Sequence, residues 1–97
     1  MMEPDSCYTP PVRITVRDVM GNSRPSCGYK PGDTWLVSSD ETPAGLCMWA
    51  VVSMAPFLAA LRFSGGMPWE EDKDVATVCC SDPNNPVVFE LRRVREP

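Results

Sequence analysis

Eleven prolines are spread through the 97 residues, and they punctuate nearly every segment that reads as a loop. Each fixes its own φ and removes a backbone donor, so it ends strands and starts or breaks helices. Only short elements fit between them. Residues 1–11, with Pro4, Pro10 and Pro11, read as an N-terminal arm that cannot join a ladder. Residues 12–97 read as a single domain, because one core is all that a chain of this length supports.

From Val12 the pattern changes. Val12, Ile14 and Val16 alternate with Arg13, Thr15 and Arg17, the period-2 signature of a half-buried strand. Residues 20–33 are rich in Gly, Pro, Asn and Ser and predict a long loop carrying Cys27 and Tyr29. Pro31-Gly32 then leads into a short second strand, Thr34–Val37. Met54, Phe57, Leu58 and Leu61 lie at i, i+3, i+4 and i+7, which predicts one short helix. Ser53 is its expected N-cap, Pro56 its first turn, Cys47–Val52 a preceding helical turn, and Gly65-Gly66 its end. Val75–Cys80 and Val87–Val94 read as a hairpin, with Val87, Phe89 and Leu91 inward and Val88, Glu90 and Arg92 outward. Together these predict an α+β domain: a small, curved, mainly antiparallel sheet of about four strands packed on the helix.

Composition narrows the partners. The net charge is −4, with no basic footprint for a phosphate backbone, so nucleic acid is not expected. Arg92, Arg93 and Arg95 lie beside Glu90 and Glu96 and read as a solvated strand edge. The longest apolar stretch, Leu46–Leu61, is interrupted by Ser53 and Pro56 and is too short to span a bilayer. The polar, acidic start lacks a basic n-region and an apolar h-region, so a cytoplasmic chain is expected.

Five cysteines in a reducing compartment read as thiols or metal ligands. Cys79 and Cys80 are adjacent on a strand and face opposite sides, and the neighbouring apolar residues favour Cys80 as the buried one. There is no histidine and no Cys-x-x-Cys, so a thiolate metal or iron–sulfur site would have to be assembled from distant residues. Its candidates are Cys27, Cys47, Cys79 and Cys80, with Cys7 or a carboxylate in support. Cys47 precedes the helical segment and is the best-placed nucleophile, yet no histidine base exists to activate it.

Trp35, Trp49, Trp69, Tyr29 and Phe63 either fill the core or line an apolar pocket. Trp49 and Trp69 are the candidates for a ligand or interface role, Trp69 because it sits in a loop between glycine, proline and acidic residues. Glu70, Glu71, Asp72 and Asp74 read as a solvated acidic run.

The blocks Tyr29-Lys30-Pro31-Gly32-Asp33, Gly45-Leu46-Cys47-Met48-Trp49-Ala50, Gly65-Gly66-Met67-Pro68-Trp69, Val78-Cys79-Cys80-Ser81-Asp82-Pro83 and Pro86-Val87-Val88-Phe89-Glu90 occur in that order. In combination they resemble a family of small uncharacterised prokaryotic proteins, frequent in anaerobes, over roughly residues 12–95. The family carries proline directly after some of these cysteines, where this chain has Met48 and Ser81. The resemblance implies that Cys27, Cys47, Cys79 and Cys80 are family-type thiol positions, and it implies no activity. No motif fixes a reaction. The expected function is a small cytoplasmic binding or interaction module, open to homodimerisation, with a thiolate metal or iron–sulfur accessory protein as the alternative and a cysteine enzyme the weakest reading.

Overall fold

The computed structural model describes residues 10–19, 29–39, 41–63, 65–80 and 86–94. In chain order these form β1 (Val12–Val19), β2 (Thr34–Val37), α1 (Met48–Phe63), β3 (Val75–Cys79) and β4 (Val87–Arg93). The strands make one open sheet in the order β2-β1-β4-β3, every pair antiparallel, packed on α1 as an α+β domain. Of the N-terminal arm, residues 1–9 lie outside the described residues, as do Cys7, Cys27, Arg95 and the hairpin turn at 81–85.

The core face follows the alternation. Val12, Ile14 and Val16 of β1, Val87, Phe89 and Leu91 of β4, and Ala76 and Val78 of β3 are buried against Ala50, Met54 and Leu61 of α1. The period of β1 then slips by one: after Val16 the next inward valine is Val19, not residue 18. Pairing shows why, since Val16 opposes Phe89 and Asp18 opposes Val88, leaving Arg17 as the extra residue of a β-bulge. The bulge returns Val19 to the core side opposite Val87.

Lys30-Pro31-Gly32-Asp33 is a tight turn into β2. The Asp33 N–H donates to the Lys30 carbonyl at 3.0 Å, and Gly32 takes a φ of 97°. Proline followed by a residue of positive φ is the type II turn pattern. The turn brings Tyr29 into the core, edge-on to Trp35 at 5.1 Å and to Phe89 at 5.7 Å.

The helix differs from expectation. It runs unbroken over 16 residues from Met48, with Pro56 inside it, rather than starting at Ser53. Cys47 is the cap, its carbonyl accepting the Val51 N–H at 3.0 Å while its own N–H donates to the Tyr29 hydroxyl. Ser53 instead turns its hydroxyl back to the Trp49 carbonyl at 3.1 Å. Pro56 removes the donor to the Val52 carbonyl, and both residues are exposed, where water can satisfy that carbonyl.

Arg93 also departs from the solvated reading. The alternation that buries Val87, Phe89 and Leu91 carries Arg93 to the same face, where it is buried. Its Nε donates to the Leu61 carbonyl at 2.7 Å and its guanidinium pairs with Asp74 at 2.8 Å. Arg92, one residue earlier, stays on the wet face and pairs with Glu90 and Asp72. Two members of the acidic run, Asp72 and Asp74, are thus spoken for by β4.

Candidate functional site

The sequence-based candidates separate in space. Cys47 sits half-buried at the start of α1, packed on the core. Cys79 is exposed at the end of β3. Cys80 is half-buried against the core, and its Sγ accepts the Val87 N–H at 3.4 Å. Among the described residues no three His, Cys, Asp or Glu side chains gather where a metal ion could be held. Cys27 falls outside the described residues.

Trp49 and Trp69 lead elsewhere. At 3.6 residues per turn, Met48, Val52, Ala55 and Ala59 of α1 fall along one stripe, flanked by Trp49, Pro56 and Phe63. All are exposed, and Met48, Trp49, Val52, Phe63 and the loop residue Trp69 are each 62–66% exposed. Not one carries a charge. The only charged side chain in the helix is Arg62, which is buried and donates to the Ser39 carbonyl at 2.6 Å. A surface helix normally turns a polar face to water, so a helix apolar on both sides is built to be covered on both. The sheet covers one side; among the described residues nothing covers the other.

Trp69 is held by a pinned loop on another side of α1, since Phe57, which it meets, lies about 180° round the helix from Met48. Its ring stands edge-on to Phe57 of α1, centroids 6.3 Å apart. The Lys73 ammonium donates to the carbonyls of Met67 at 2.9 Å, Pro68 at 3.3 Å and Glu70 at 2.6 Å, closing the loop around a cation. Gly66 lets the chain pass Lys73, because a Cβ there would lie 2.3 Å from the Lys73 carbonyl oxygen. The exposed tryptophan is therefore carried on an ordered support.

A cleft on the other flank of α1 is lined by Val37, Pro43, Leu46, Val51 and Leu58, with Ser39, Glu41 and Thr42 completing it. Its volume of about 120 Å³ is well below that of the cavities that enclose drug-sized ligands. The aromatic residues divide accordingly: Tyr29 and Trp35 belong to the core, while Trp49, Phe63 and Trp69 belong to the surface. Met48, Val52, Ala55, Pro56 and Ala59 escaped the sequence search for a site. The signal that could have found them is the near absence of charge over the whole helix. No family model, curated protein or solved structure matches this chain.

Proposed function

We propose that this chain is a small cytoplasmic binding module that docks a protein partner through the outer face of α1. The observation that carries the reading is the uncharged, apolar stripe from Met48 to Phe63, which the other described residues leave exposed. Contiguous apolar surface rimmed by polar residues marks interaction sites, and an exposed tryptophan on a rigid element, as Trp49 is on α1, is the kind of residue that anchors them. The nearby cleft is too small to make an apolar small molecule the better occupant. Among the described residues no helix is long and apolar enough to cross a membrane, and the exposed face of α1 lacks the Lys and Arg flanks with which interfacial helices hold lipid headgroups. A reducing compartment suits Cys79 and Cys80, which stand as unbridged thiols.

Site-specific photo-crosslinking in cells tests this. A benzoyl-phenylalanine replacing Val52 or Ala59 should yield an adduct of discrete mass, and the same probe replacing Arg13 on the opposite sheet face should not. Equal yields from all three positions, or none from any, would sink the proposal.

A further inference from the structure

Resting on that reading of the helix, we infer that the partner is a second copy of this chain, docked as an antiparallel helix pair about a two-fold axis between Ala55 and Pro56. The axis is set by the stripe itself. A two-fold through the midpoint of α1 places Met48 against the partner's Phe63 and Val52 against the partner's Ala59, and each contact occurs twice. Ala55, Pro56 and Ala59 keep the centre shallow, so the two backbones can approach there. The long side chains stand at the ends, where a methionine sulfur meets an aromatic ring. The surface is self-complementary in size along its whole length.

Area points the same way. With about 150–250 Å² for an aromatic side chain, two-thirds exposure of Trp49 and Phe63 leaves on the order of 270 Å² of ring surface in water. Met48, Val52, Ala55, Pro56 and Ala59 raise this to on the order of 570 Å², close to the roughly 600 Å² per partner at the small end of the standard range. Charge adds a further reason, because an uncharged stripe meets its own copy without the like-charge clashes that oppose self-association. The sheet edges compete poorly: β2 has 4 residues and β3 has 5, and short edges are how sheets discourage pairing.

Sedimentation velocity on the purified full chain, from about 1 to about 200 μM, is the test. The wild type should pass from monomer to dimer across that range. Val52→Glu should weaken association at least about 100-fold, because the dimer would bury an unpaired carboxylate. Ala59→Lys alone should do the same. The double variant V52E/A59K should recover association to within about tenfold of wild type, since the symmetry forms the new ion pair twice. Both positions are exposed, so circular dichroism and thermal melting should show every variant folded.

Dimerisation that Val52→Glu leaves intact would overturn the helix pair, and a double variant that stays monomeric would overturn its register. A wild-type chain that is monomeric throughout would overturn the second copy as occupant. In that case a photo-crosslinked adduct from position 52 with another protein's mass would leave the docking face standing, whereas no adduct would remove the face too. A monomer that partitions onto phosphatidylcholine vesicles, and loses that property in Val52→Glu, would replace the second copy with a lipid surface.

Discussion

The Nε of Arg93 donates a 2.7 Å hydrogen bond to the carbonyl of Leu61, tying the last turn of α1 to the end of β4. The same guanidinium reaches Asp74 at 2.8 Å, and the Arg93 N–H donates to the Asp74 carbonyl at 2.7 Å, so helix, strand and the acidic loop meet on one side chain. A helix end leaves its last carbonyls without intrahelical donors, and a cation there also suits the helix dipole.

Arg93→Met should therefore cost about 2–4 kcal/mol, since it strips a buried carbonyl and a half-buried carboxylate of a shared donor. In a domain of this size that lowers Tm by roughly 10–20 °C. Arg92→Ala, one residue away on the wet face, should cost under about 1 kcal/mol, because its pairs with Glu90 and Asp72 are solvent-screened. Urea unfolding of the two variants checks the contrast; equal losses would contradict it.

Gly66 and Gly45 separate steric from conformational demand. Both have positive φ, 106° and 86°, but a Cβ at Gly66 meets the Lys73 main chain while one at Gly45 comes no nearer than 3.6 Å to Trp35. Gly45→Ala should cost about 1 kcal/mol from backbone strain alone. Gly66→Ala adds a collision that only a shift of the 65–74 loop can relieve, so its loss should be at least about twice as large. It should also increase acrylamide quenching of Trp69, read in a variant with Trp35 and Trp49 replaced by Phe.

Much of the fold was legible in the sequence, and what was not has physical causes. Period-2 alternation placed β1 and the β3–β4 hairpin, and Pro31-Gly32 marked the turn into β2. Arg93 continues the same alternation as Leu91, but a charged residue inside runs against the expectation that arginine is solvated, and composition overrode phase. The helix start was misplaced because Ser53 and Pro56 imitate a cap and a first turn, while the true cap, Cys47, takes its partner from Tyr29, a residue far away in sequence. The exposed face of α1 was the least legible part. The spacing of Met54, Phe57, Leu58 and Leu61 marked the side that the sheet covers, and the structure packs all four on the core, but Met48, Val52, Ala55 and Ala59 opposite them are apolar as well, so nothing in their composition marked them as surface.

Pro56→Ala should stabilise the monomer. The proline sits inside α1 at an exposed position, so alanine restores a backbone donor and a better helix former without disturbing a buried contact. A gain of about 1–3 kcal/mol is expected, seen as a higher Tm by circular dichroism. A loss would mean that Pro56 relieves a distortion on which the packing of α1 against the sheet depends.

Chelation should leave the fold unchanged. Cys47, Cys79 and Cys80 do not gather with other ligand-type side chains among the described residues, and a structural metal would make folding depend on it. EDTA or phenanthroline should move Tm by less than about 1 °C. A large drop, with metal recovered from protein purified without oxygen, would revive the thiolate reading with Cys27 as its natural contributor.

Cys79 makes the sharpest case on reactivity. As a residue it is exposed, yet partial desolvation of its sulfur, and then the nearby Cys80, push its thiol above the ordinary value. A raised value keeps the proton on sulfur at neutral pH, and only the thiolate attacks. In linkage terms the folded chain holds this proton more tightly than the unfolded one. The contribution to stability is therefore complete below the ordinary thiol pKa and is lost as pH rises through the folded value. Iodoacetamide should modify Cys79 more slowly in the native protein than in the urea-unfolded chain near neutral pH, with the gap closing in alkaline solution. Rates by peptide mass spectrometry across that range decide it. Faster native alkylation would mean a lowered thiol pKa, the property a cysteine-dependent enzyme needs, and would count against a module that works by surface contact alone.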